Sequence, residues 1–252
     1  MRILGIVQYD GTDYVGWQKQ KVGDSVQEEI EKVLSKILNT PITIQGSGRT
    51  DAGVHALAQH FHFDVEKDIT DLDRFTYSVN CLLPDDIHII GFEVVEPNFH
   101  ARYDVSDKTY IYTLNIGAYD VFQRKFITQY PNRDLDIDAI REAAELFKGT
   151  HCFKNYTSKE EDEDNFVRTI MAIEVNDANG IIMFRLTAHG FMRYMVRIIV
   201  GTLIQVGSGK VGLKEIEDSL NESFPRNVMP YKAPPEGLML VDVNYDKKPF
   251  DA

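Results

Sequence analysis

The sequence predicts an α+β protein made of two ferredoxin-like halves, each ordered β-α-β-β-α-β. Three observations carry this expectation. Strand-like runs alternate with helix-like runs in the same order twice. The helical segments show an apolar period near 3.6 residues. A strong turn, Asp177-Ala-Asn-Gly180, separates two strand-like segments of the second half. The halves share no sequence self-similarity, so the repeat rests on element order.

Arg2–Gln8 reads as a strand and Tyr9–Gln18 as a turn-rich loop. Ser25–Leu38 reads as an amphipathic helix, with Val26, Ile30, Val33, Leu34 and Ile37 on one face. Asp24 or Ser25 can cap it, and Glu28 completes a capping box with Ser25. Pro41–Gln45 and Leu57–Asp64 read as strands around a glycine-rich loop. Asp71–Leu82 reads as a weaker helix ended by Pro84, and Ile87–Glu96 as a strand. The halves meet near Pro97–Val105, giving expected domains 1–104 and 105–252. In the second, Lys108–Asn115 is a strand, Asp136–Phe147 a helix, and Val167–Val175 with Ile181–Ala188 a hairpin. Phe191–Val206 reads as one long apolar helix, Leu213–Leu220 as a short one, and Leu238–Tyr245 as a closing strand.

The 252 residues suffice for a sizeable core, and 43% hydrophobic with 26% charged residues excludes fibrous and disordered classes. No apolar run reaches the length of a membrane span. Met1–Val7 runs into a strand pattern without signal-peptide architecture, and Cys81 and Cys152 are isolated. The expectation is a cytoplasmic protein with neither a disulfide framework nor a cysteine-based zinc site. A net charge of −12 argues against a surface that binds nucleic acid everywhere. It leaves room for a local basic groove, because part of the acid is concentrated in Glu160–Asp164 while Arg102, Lys108, Arg193 and Arg197 lie in other segments.

The loop Gly46-Ser-Gly-Arg-Thr-Asp-Ala-Gly-Val-His-Ala56 sets Asp51 and Arg49 among three glycines, between two strands. Glycine allows sharp turns and close backbone approach, and loops on rigid scaffolds often carry chemistry. An ordinary turn would use the same residues. A dinucleotide fingerprint fails because Asp51 stands where its third glycine belongs. Gly207-Ser-Gly-Lys210 fails as a phosphate loop because Val211 replaces the metal-binding hydroxyl. No nucleotide cofactor is therefore expected. A lone Asp beside an Arg suits nucleophilic attack better than two-carboxylate hydrolysis. Alternation places Lys108, Tyr110 and Tyr112 on one strand face, either as half-buried tyrosines or as a stacking platform for RNA. Arg193 and Arg197 are expected four apart on one helical face, snorkelling or paired with a counter-charge. His55, His60 and His62 lack the Cys or carboxylate cluster of a metal site, so no metal is expected.

Six blocks occur in order over nearly the whole chain. They are Tyr9-Asp-Gly-Thr-x-Tyr-x-Gly-Trp-Gln18, Gly48-Arg-Thr-Asp-Ala-Gly-Val-His-Ala56 and Phe99-His-Ala-Arg102. Lys108-x-Tyr-x-Tyr112, Met195-Val-Arg197 with Val200-Gly-Thr-Leu203, and Ala233-Pro-Pro-Glu-Gly-Leu238 follow. Together they resemble the tRNA pseudouridine synthase A family. The resemblance implies the pseudouridine synthase fold, two related lobes around a central mixed, mainly antiparallel sheet. It implies isomerisation of uridine to pseudouridine at positions 38, 39 and 40 of the tRNA anticodon arm, without a cofactor, by a homodimer. The N1–C1′ bond breaks, uracil rotates, and the bond re-forms through C5. Asp51 takes the catalytic position, Tyr110 the base-stacking position and Arg197 that of the basic partner, holding Asp51 ionised in a closed cleft. Arg49 takes the position that helps extrude the target base, and Arg102, Lys108 and Arg193 are expected to contact the RNA. Cys152 departs from the family, whose members often carry Asp there. The alternatives are the same reaction at another RNA site, a non-catalytic tRNA-binding or chaperone module, and a sugar-bond hydrolase.

Overall fold

Residues 1–131, 134–158 and 165–246 are described by a computed structural model. In chain order the elements are β1 (Arg2–Tyr9), α1 (Val26–Leu38), β2 (Gln45–Gly46), β3 (His55–Asp64), α2 (Leu72–Asn80) and β4 (Ile87–Val95). Next come β5 (Val105–Asn115), β6 (Thr128–Gln129), α3 (Ile137–Glu145), β7 (Gly149–Cys152), β8 (Val167–Ala178) and β9 (Ile181–Ala188). The chain ends with α4 (Met195–Gly207), α5 (Leu213–Ser219) and β10 (Leu238–Tyr245). One unit comprises Met1–Asp107 with the segment from Met239, the other Lys108–Leu238. The mixed α+β class and the two β-α-β-β-α series match the expected architecture. The acidic segment Glu160–Asp164 lies outside the described residues.

In the first unit the sheet order is β4-β1-β3, with β2 on the far side of β3. That is the ferredoxin-like arrangement, fourth, first, third, second. β1 is antiparallel to both neighbours, pairing Leu4 with His62 and with Glu93. β10 runs parallel to the start of β3, pairing Met239 with His55 and Leu240 with Ala56. The strand that closes the second series in sequence thus pairs with β3 of the first.

α1 forms because its apolar residues share one face: Val26, Ile30, Val33 and Leu34 are buried. Ser25, extended at φ −122°, accepts from the Glu28 amide at 3.3 Å and caps the helix. Asn39, left-handed at φ 51°, ends it. The strand expected over Pro41–Gln45 is reduced to Gln45–Gly46. Side chains of α1 take its backbone donors: Ile42 N donates to Ser35 Oγ at 2.9 Å, and Ile44 N to Glu31 Oε1 at 3.1 Å. Residues 41–44 therefore need no ladder partner to bury Ile42 and Ile44.

In the second unit β5-β9-β8-β7 form an antiparallel run, and β6 lies parallel to β5. The hairpin over Asp177–Gly180 forms as expected, with Ala178 opposite Ile181. α3 is capped by Asp136, whose carboxylate accepts from the Ala139 amide at 2.9 Å. The long helix expected from Phe191 starts only at Met195, because Tyr194 adopts the left-handed conformation at φ 63°. Arg193 therefore precedes α4, and the expectation that Arg193 and Arg197 share one helical face is overturned.

Candidate active site

The Asp51 loop is held from beneath by a buried polar network. Tyr9, at the end of β1, shares a 2.8 Å hydrogen bond between its Oη and Thr50 Oγ1. Gln59, on β3, accepts from Ser47 Oγ at 2.6 Å and donates through Nε2 to the Gly48 carbonyl at 3.0 Å. Tyr9, Ser47, Thr50 and Gln59 are all buried. Burial raises the Tyr9 hydroxyl well above the usual tyrosine range, against the pull of its bonds to Thr50 and Gln59. It therefore stays protonated through any physiological pH.

The Tyr9–Gln18 segment closes over the loop from the other side. Trp17 N donates to the Thr50 carbonyl at 3.2 Å, and Gly53 N to the Tyr14 carbonyl at 3.4 Å. Gly16 bridges Asp51 at φ +110°, where a Cβ would sit 2.6 Å from the Thr50 carbonyl oxygen. Only glycine permits that approach. His55 Nδ1 accepts from Gly11 N at 3.1 Å and lies 3.2 Å from Asp10 Oδ1. The first two motif blocks thus form one mutually braced loop pair. It leaves Asp51 half-buried and Arg49 exposed. A carboxylate held in such a frame is positioned in advance, as positioned catalysis requires.

Lys108, Tyr110 and Tyr112 do lie on one face of β5. Lys108 is half-buried, and Tyr110 is buried edge-on against Phe191 with ring centroids 5.3 Å apart. Tyr112 is fully buried and shares a 2.6 Å hydrogen bond with Thr128 Oγ1, so it belongs to the core. Arg197 is 7% exposed, and its Nε donates to the Ala233 carbonyl at 2.8 Å. It is not a snorkelling surface residue. Arg193 is exposed and donates to Tyr194 Oη at 3.1 Å. The Arg193 and Arg197 guanidiniums lie 4.8 and 5.4 Å from the centre of the Tyr194 ring, and Lys232 Nζ lies 4.2 Å from it. The structure brings Asp51 and Arg49 together on one loop of the first unit, and Arg193 and Arg197 around one ring of the second. Arg102, exposed in the first unit, lies instead 5.8 Å over Tyr103.

Several roles here leave no trace in the sequence. Tyr9 and Thr50 stand in two of the motif blocks, but their link to each other and to Gln59 appears only once the β1–β3 register brings them together. Tyr194 read as one more helical residue. His60 stacks on Tyr245 at 5.5 Å, and His62 Nδ1 accepts from Ala101 N at 3.1 Å. Among the described residues no group of three His, Cys, Asp or Glu side chains could hold a metal ion. Cys81 is exposed and Cys152 buried, both as free thiols.

Residues 6–104 and 143–246 match the family described as tRNA pseudouridine synthase. The tRNA pseudouridine synthase A of Exiguobacterium sp. is 41% identical over 246 residues, covering 98% of this chain and 98% of that one. That of Acetivibrio thermocellus is 39% identical over 240 residues, covering 95% and 98%. That of Staphylococcus carnosus is 38% identical over 241 residues, covering 95% and 89%. The family match spans both units and includes the Asp51 loop, and these relatives align over nearly their whole length. The chain belongs to the tRNA pseudouridine synthase family, a family of isomerases.

Proposed function

We propose that this chain isomerises uridine to pseudouridine at positions 38, 39 and 40 of the tRNA anticodon arm, with Asp51 as the catalytic carboxylate. The observation that carries this reading is the braced loop that presents Asp51 half-buried beside an exposed Arg49. Uracil is a poor leaving group, and a fixed carboxylate can act as nucleophile or base toward the sugar while the N1–C1′ bond breaks. Rotation of uracil and bond formation through C5 then expels the C5 hydrogen. The target base must leave the stack. Arg49 is placed to fill the gap, Tyr110 supplies an aromatic face for the base, and Arg197 supplies the positive charge of the reaction. Arg102, Lys108 and Arg193 bind the RNA backbone. The enzyme works without a cofactor, as a homodimer, in the cytoplasm.

The test is tritium release from unmodified tRNA labelled at C5 of uridine, with wild type and Asp51→Asn side by side. Wild type should release tritium and the variant should not, while keeping its fold and much of its tRNA affinity. Turnover by Asp51→Asn would overturn the role of Asp51. Intact binding without release by wild type would favour a different RNA target or a binding module. Loss of uracil mass from the RNA would mean hydrolysis.

A further inference from the structure

We propose that Tyr194, Arg193 and Lys232 form a phosphate-binding site for the RNA backbone in the second unit, built around the Tyr194 ring. The inference rests on the reading that the ligand is RNA. It assigns a site that includes two residues, Tyr194 and Lys232, absent from the expected set.

The first observation is charge. Lys232 Nζ stands 4.2 Å from the ring centre and the Arg193 guanidinium 4.8 Å. One ring face stabilises a cation by a modest amount, and gathering like charges around it opposes that gain. Among the described residues neither Arg193 nor Lys232 has a carboxylate partner. Two cations held this close are relieved by an anion.

The second observation is backbone conformation. Tyr194 is a bulky residue in the left-handed region, at φ 63° and ψ 0°. Such strain persists only where the surroundings over-determine it. Here it breaks the approach to α4 and turns the ring into the cations.

The third is the helix end itself. Tyr194 is the N-cap of α4, a helix of 13 residues, and makes no side-chain capping bond. The amide ends of α4 add positive potential beside Arg193 and Lys232. Lys232 is anchored by its neighbours: Ala233 N donates to the Arg197 carbonyl at 2.9 Å, and Arg197 Nε returns a bond to the Ala233 carbonyl at 2.8 Å. Two exposed cations from segments about 40 residues apart are thereby fixed on one ring, while the buried Arg197 is held by backbone. Phosphodiester oxygens suit this arrangement, because Arg and Lys can each hold one while the ring limits their motion.

The test is equilibrium binding of an unmodified tRNA transcript across a salt series, using full-length protein. Arg193→Gln with Lys232→Gln should weaken binding about tenfold at low salt and reduce the salt slope by about 1 per cation removed. Tyr194→Leu, which keeps both charges, should also weaken binding, because the cations lose their platform. Lys36→Gln, an exposed lysine of α1, controls for bulk charge and should bind as wild type. Wild-type affinity and slope in the paired variant would overturn the site, and so would an equal loss in Lys36→Gln. Wild-type affinity in Tyr194→Leu would overturn the role of the ring. Asp51→Asn, assayed alongside for tritium release, reports on the proposed function independently. Failure of the wild type to bind tRNA at all would overturn that function itself.

Discussion

Two carboxylate-bearing loops can look alike in sequence and differ in what holds them still. Here the restraint is the Tyr9–Thr50 hydrogen bond beneath Asp51. Tyr9→Phe and Thr50→Val each remove it without adding bulk. Each should lower the single-turnover rate about tenfold or more while leaving tRNA affinity near wild type, since both residues are buried. Thr50→Ser keeps the hydroxyl and should recover most of the rate. Combining Tyr9→Phe with Thr50→Val should cost little more than Tyr9→Phe alone, because both break the Tyr9–Thr50 bond. Equal rates in Thr50→Ser and Thr50→Val would remove the hydroxyl from the account. A second residue-scale prediction concerns His62. Burial, then the nearby Arg2 and His100, lower its pKa from 6.5 to about 4. The unfolded chain therefore binds a proton that the folded state refuses. His62 adds stability above about pH 6.5 that fades as pH falls toward 4, and urea titrations of His62→Gln should show a flatter decline there. At this scale Asp51 and Arg49 were legible because glycines bracket them within a few positions. The contacts among Tyr9, Thr50 and Gln59 were not, although the first two lie in motif blocks, because only the β1–β3 pairing makes them neighbours. The Arg193–Arg197 pair was misread for a related reason. Periodicity ran the helix through Tyr194, and a left-handed turn leaves no periodic trace.

At the scale of elements, most strands and helices follow their sequence patterns within a few residues. The exceptions have physical causes. The 41–44 segment satisfies its amides with Ser35 and Glu31, a substitution of side chain for ladder that alternation cannot reveal. The two-residue strands β2 and β6 are too short to show a period. α4 is buried almost throughout and packs against the 231–233 segment. A Cβ on Gly201 would fall 1.9 Å from the Tyr231 carbonyl oxygen. Gly201→Ala should destabilise the protein by about 1–3 kcal/mol in denaturant melts, despite alanine's better helix propensity. It should also weaken tRNA binding, because the displaced segment carries Lys232. A gain in stability would show that the segment yields freely. Ser25→Ala, by contrast, should cost about 1 kcal/mol through loss of the α1 cap, with the fold unchanged.

At the scale of the whole molecule, the bulk composition is that of a globular protein, and no described helix is long and apolar enough to cross a membrane. Charge balance alone points away from nucleic acid, and the RNA reading rests on local features that a total cannot display. Chain order has a consequence of its own. β3 is made well before its parallel partner β10, with residues 65–237 between them. His55, the residue of β3 opposite Met239, lies only four positions after Asp51. During translation the floor of the Asp51 loop therefore waits, one edge open, for a strand not yet made, and closing so long a loop is slow. Ribosome-held chains stopped at Leu238 should show fast amide exchange at the start of β3, and chains carrying the strand clear of the exit tunnel should show protection. The newborn polypeptide would then stay catalytically silent, surrounded by RNA, until β10 has been made.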